Sequence, residues 1–120
     1  MSRNILLIED DDGIRDSVAE CLSLEGYSVA SVSNGVEGLE WLRRENHPDL
    51  IVLDLVMPMM NGAQFLEVVR GDPLFRRVPV VLMTAAMPTS DTPIPPANGY
   101  LAKPFELDDL LNTVARHTRA

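Results

Sequence analysis

Apolar and polar positions divide the chain into five short apolar runs separated by amphipathic stretches. The run Leu50, Ile51, Val52 and Leu53 is continuous rather than alternating, which predicts a strand covered on both faces, as in a parallel sheet. Asp54 closes that run. Met57-Pro58 forces an extended or turned backbone beyond it, and Asn61-Gly62 is a turn or helix-entry signal, so the carboxylate is expected at the rim of the sheet, exposed to ligand. Asn4 to Ile8 is a second apolar run and also ends in acids, Glu9, Asp10, Asp11 and Asp12. The spacing of Ile14, Val18, Cys21 and Leu22 then predicts a helix over about 12–25, capped by Asp11 or Asp12 and closed by Gly26.

Tyr27 to Ser33 reads as a short strand, and Val36, Leu39 and Leu42 as the apolar face of a helix that Asn34-Gly35 opens and Pro48 stops. Phe65, Leu66 and Val69 predict a helix ending near Arg70-Gly71, Val78 to Met83 a strand ending at Thr84, and Gly99 to Ala102 a last short strand. Leu107, Leu110, Leu111 and Val114 mark a final helix over about 106–118. Between Thr84 and Gly99 the pattern fails. Pro88, Pro93, Pro95 and Pro96 fall there, and an interior proline costs a helix about 3 kcal/mol, so a loop with at most one short turn is expected. Strands alternating with helices at this spacing indicate an α/β doubly wound parallel sheet with right-handed crossovers.

A length of 120 residues, 46% of them hydrophobic, fits one domain spanning 1–120. The net charge of −8, with no stripe of Lys and Arg, argues against a direct nucleic-acid surface. No apolar run approaches the ~20 residues of a membrane helix. Cys21 is the only cysteine, which fits a reducing compartment, and a cytoplasmic location is expected. The methionines read as packing filler, and His47 and His117, at predicted helix ends, are assigned no catalytic role.

Four of the five strands end in residues able to do chemistry: Glu9 and Asp10, Asp54, Thr84, and Lys103, the sole lysine. A parallel sheet brings these ends to one edge. Carboxylates gathered without a cation repel and raise one another's pKa, so the cluster implies a divalent ion, and hard oxygen ligands point to Mg²⁺. With Asp54 as nucleophile, Lys103 as a charge partner and Thr84 as a hydrogen-bond donor, the set has the parts for phosphoryl transfer to form an aspartyl phosphate.

Through ILLIEDD, LIVLDLVMPMMNG, VVLMTA and GYLAKPF the chain resembles the receiver domains of bacterial two-component response regulators over nearly its whole length. The resemblance implies a flavodoxin-like sheet in order 2-1-3-4-5 with five helices. It implies phosphorylation of Asp54 by a phosphohistidine on a sensor histidine kinase or phosphotransfer protein. Mg²⁺ would be held by Asp10, Asp54 and the backbone carbonyl of Val56, with Glu9 acting through water. Thr84 and Tyr100 would be the switch pair, Lys103-Pro104 a cis-peptide turn aiming the ammonium, and Phe105 the anchor of the last helix.

The proline-rich segment departs from the family, so the fourth helix is expected to be shortened or replaced by a loop. That puts its use as an output surface or in a phosphorylation-dependent homodimer in question. Val56 and Ala86, two residues beyond Asp54 and Thr84, are apolar and position no attacking water, which predicts slow loss of the phosphoryl group. The chain is expected to catalyse only its own phosphorylation and dephosphorylation. A hydrolase of the haloacid dehalogenase type needs an acid where Val56 stands. The other alternative is a degenerate, phosphorylation-independent receiver serving as a protein-binding module.

Overall fold

The structure is a computed structural model and describes residues 3–44, 47–57, 60–85 and 96–118. In order along the chain come β1 (Asn4–Ile8), α1 (Asp12–Leu24), β2 (Ser28–Val32), α2 (Gly35–Arg43), β3 (Leu50–Asp54), α3 (Gly62–Gly71), β4 (Val80–Thr84), β5 (Gly99–Ala102) and α4 (Leu107–Thr118). The strands form one parallel sheet in the order β2-β1-β3-β4-β5, as expected for a doubly wound fold. The segment expected to hold a reduced fourth helix falls largely on 86–95, outside the described residues.

Strand periodicity of two decides which residues face which layer. Leu6 and Ile8 of β1, Ile51 and Leu53 of β3, and Val80 and Leu82 of β4 pack in the cluster that holds Leu39, Phe65 and Val69 of α2 and α3. Their neighbours Ile5, Leu7, Leu50, Val52, Val81 and Met83 face Val18, Leu22, Leu110 and Val114 of α1 and α4. The inner strands are therefore apolar on both sides, which is why their sequences run without alternation. Each such side chain taken fully from water contributes about 1.5–3 kcal/mol.

Helix starts follow local chemistry. Asp11, Asn34 and Asn61 cap α1, α2 and α3 by accepting from the N–H groups of Ile14, Glu37 and Gln64, and Gln64 returns a bond to the Asn61 N–H in a capping box. Gly26, at φ +96°, lets the chain leave α1 toward β2. Three details differ from the sequence reading. β4 begins at Val80 rather than Val78, because the Val78 N–H donates to the Phe75 carbonyl and its own carbonyl accepts from Arg70, ending a turn. Leu107 is 56% exposed, since the inner face of α4 runs through Leu110, Thr113 and Val114. Cys21 is only half-buried.

Asn98, just ahead of β5, is a junction. Its Oδ1 accepts from Arg70 Nη2 (2.7 Å) and from the Val80 N–H (2.8 Å), its own N–H donates to the Val80 carbonyl (2.9 Å), and its carbonyl lies 3.0 Å from His117 Nε2. One residue thus joins α3, β4 and α4 at the N-terminal edge of the sheet.

Candidate functional site

At the opposite, C-terminal edge, β1 and β3 lie side by side, with Ile8 paired to Leu53. The residues that follow are Glu9 and Asp54, so neighbouring strands deliver their acids to one place. Carboxyl oxygens of Glu9, Asp10 and Asp54 all lie within 4.8 Å of one another. Asp10 is exposed, Glu9 is fully buried, and Asp54 is 5% exposed. Asp54 stands at the C-terminal rim of the sheet, as its place in the sequence predicts, but Glu9 and Lys103 close over it so that its carboxyl group lies at the floor of a bowl.

Lys103 enters from the end of β5. Its Nζ lies 2.6 Å from Glu9 Oε1 and 3.3 Å from Asp54 Oδ2. The Lys103-Pro104 peptide is cis, and the Lys103 N–H donates to the Thr84 carbonyl at 2.8 Å, tying the turn to the end of β4. Thr84 is buried at that end. Tyr100 is half-buried against the α2/α3 core, and its hydroxyl accepts from the Ala97 N–H at 2.9 Å.

Electrostatics follow from this crowding. Burial first, then the adjoining Glu9 carboxylate, push the Asp54 carboxyl up from 3.8 to about 7, with the Lys103 ammonium opposing them. For Lys103 burial pulls the other way, but its contacts with Glu9 and Asp54 outweigh it and raise the ammonium pKa. Three clustered carboxylates facing one ammonium leave surplus negative charge on hard oxygen donors, so the donor set fits a small divalent cation.

The loop after β3 is held close. The Gly62 N–H donates to the Leu55 carbonyl at 2.8 Å, and a Cβ on Gly62 would stand 2.7 Å from the Asp54 carbonyl oxygen and 2.8 Å from Leu55 Cα. Only glycine allows this approach. Val56, on the same loop, is 77% exposed, and its N–H faces Asp54 Oδ1 at 3.4 Å. Ala86, the partner position beyond Thr84, lies outside the described residues.

One participant was not foreseen. Arg15, on the first turns of α1, donates from Nη1 to the Glu9 carbonyl at 2.9 Å and pairs with Asp12. Its three-residue spacing from Asp12 was the available signal, but that pointed to a surface ion pair and not to the β1 terminus. Glu9 is further fixed by the Asp11 N–H, which donates to its Oε2 at 3.1 Å. Beside Lys103 lies an apolar groove of about 670 Å³ lined by Ile14, Val18, Pro104, Phe105 and Leu107, with Asp11 at its margin.

Residues 5–115 match the response regulator receiver domain family. The chain belongs to that family. Response regulator MprA of Mycobacterium leprae (strain TN) is 38% identical over 112 residues, covering 89% of this chain and 47% of its own length. The receiver thus spans about half the length of the curated relatives it matches. Among solved structures, the chemotaxis response regulator CheY4 of Vibrio cholerae superposes with a TM-score of 0.86 at 28% identity, covering 98% of this chain and 99% of that one. The receiver domain of sensor histidine kinase PA1611 from Pseudomonas aeruginosa PAO1 superposes equally well, with a TM-score of 0.86 at 27% identity over 98% of both chains. That structure has a magnesium ion coordinated in its active site cleft. This receiver is accordingly a component of two-component signalling, and no helix among its described residues is long and apolar enough to cross a membrane.

Proposed function

We propose that these residues act as one cytoplasmic receiver unit that takes a phosphoryl group onto Asp54 from a phosphohistidine on a sensor histidine kinase or phosphotransfer protein. The observation that carries this reading is the meeting of the Asp54 carboxyl with Glu9, Asp10 and the Lys103 ammonium in one bowl. In the transfer an Asp54 carboxylate oxygen forms a bond to phosphorus as the P–N bond breaks, and the imidazole of the donor leaves. Asp10, Asp54 and the Val56 carbonyl would hold Mg²⁺, with Glu9 acting through water. Bound there, the ion would neutralise the phosphoryl oxygens and keep Asp54 ionised. Lys103 turns from its carboxylate partners toward the new phosphoryl oxygens, and the Thr84 hydroxyl donates to one of them. Thr84 and Tyr100 form the switch, and the receiver turns over no external metabolite. The groove beside Lys103, apolar with an acidic margin, is the surface on which the donor protein rests.

Incubation with acetyl phosphate and Mg²⁺, followed by intact mass measurement, tests the reading. Wild type gains one phosphoryl group that persists, and Asp54→Asn gains none. Absence of an adduct on wild type establishes the phosphorylation-independent binding module instead, and steady release of phosphate without an adduct establishes a hydrolase.

A further inference from the structure

The arginines of this acidic chain are unevenly placed. Arg3 precedes β1, Arg43 and Arg44 end α2, and Arg76 and Arg77 lie in the turn before β4, so the topology carries three separate segments to the N-terminal edge of the sheet. All five are exposed, and none forms an ion pair or a side-chain hydrogen bond among the described residues. The segments touch one another. Asn4 N–H donates to Asp49 Oδ2 at 2.7 Å, while the His47 ring lies 5.8 Å from that of Phe75 and its Nε2 lies 3.3 Å from the Leu74 carbonyl.

Around this contact the surface is dimpled. Arg43 and Phe75 line a depression of about 60 Å³, and His47, Leu74 and Arg77 line a second of about 190 Å³. Leu74, which shares the second with Arg77, is 72% exposed. Helix-dipole complementarity accounts for Arg43 and Arg44 at the end of α2. It leaves Arg3, Arg76, Arg77 and the uncovered Leu74 without a role. Among the described residues the carboxylates of the region are Asp49 and Asp72, already engaged by the N–H groups of Asn4 and Leu74.

We infer that this edge docks an acidic segment of a partner protein, whose carboxylates face the exposed guanidiniums while one of its apolar side chains covers Leu74. Arginine pairs with carboxylates through two parallel hydrogen bonds, and protein interfaces set an apolar centre within a polar rim. A phosphate polymer fits less well, because Asp49 and Asp72 stand within the patch and the whole chain carries −8. A bilayer fits less well too, since one leucine buries too little area to hold a membrane. The site lies at the far edge of the sheet from Asp54, so it does not depend on phosphoryl transfer.

The test is fluorescence anisotropy of the full chain with a dye-labelled peptide built of aspartate, glutamate and leucine. Saturable binding in the micromolar range is expected. Arg76→Glu with Arg77→Glu should weaken it roughly tenfold or more, Leu74→Ser several-fold, and added salt progressively. Asp54→Asn should leave it unchanged, which separates failure of this site from failure of the phosphoryl acceptor. If a charge-reversed variant does not fold, amide shift mapping on the unsubstituted chain decides, with changes confined to 3–4, 42–44, 47–49 and 72–79 supporting the assignment. Lack of saturation, insensitivity to these substitutions, equal binding of anionic vesicles or single-stranded oligonucleotide, or association of the chain with itself in place of peptide would overturn it.

Discussion

The two edges of the sheet use the same strands and solve opposite problems. At the N-terminal edge polar groups find partners: Asn98 receives Arg70 and the Val80 N–H, Asp49 receives Asn4, and the remaining arginines stand in water. At the C-terminal edge like charges are pressed together, with Glu9 and Asp54 buried beside Asp10 and one ammonium set against three acids. The paired groups of the first edge stabilise the fold. The second leaves carboxylate repulsion in place that a cation would relieve, so the contrast separates groups that satisfy one another from groups held together against their own charge.

The largest expected effect breaks the close packing of the C-terminal edge. Gly62→Ala sets a Cβ against the Asp54 and Leu55 backbone, which cannot swing aside, and should destabilise the protein by about 3 kcal/mol in urea titration. A change below about 0.5 kcal/mol would show that the loop after β3 is not held as described.

Removing the charge of Asp54 should have the next largest effect, with the opposite sign. With its carboxyl raised to about 7 in the fold against an ordinary 3.8, the folded protein binds more protons than the unfolded chain between those values. Stability of the metal-free protein therefore falls as pH rises through that window and stays low above it. Asp54→Asn has nothing to ionise, so in chelator at pH 8 it should melt higher than wild type, by on the order of 2 kcal/mol, and the gain should vanish near pH 4. Equal melting at both pH values would contradict the repulsion.

At the N-terminal edge the effects shrink. Asn98→Ala removes the acceptor used by Arg70 and the Val80 N–H and should lower stability by about 1–2 kcal/mol, with faster amide exchange at Val80. Gly71→Ala, where an added Cβ meets nothing within 4 Å, should change stability by no more than about 0.5 kcal/mol. A loss there as large as at Gly62 would erase the difference between the edges.

The sequence made the sheet legible because continuous apolar runs, caps and breakers are local signals: Leu50 to Leu53, Asn61-Gly62 and Gly26 lie where their chemistry predicts. The meeting of Glu9, Asp10, Asp54 and Lys103 was legible only because parallel strands share an edge. The depth of Asp54 was not, since it depends on side chains that Lys103 and Glu9 bring across the bowl. Nor was the contact of Arg15 with the Glu9 carbonyl, which needs the angle between α1 and β1. The exposed Leu107 shows the limit of helical periodicity, which finds an apolar stripe but not where along it the neighbouring layer stops.

The junction at Asn98 constrains how β5 can move. A strand anchored at its foot to α3, β4 and α4 cannot slide lengthwise. Paired with β4 along its length and tied again at its far end by the Lys103 N–H to the Thr84 carbonyl, it is held top and bottom, so any displacement of Lys103 has to carry the end of β4 with it.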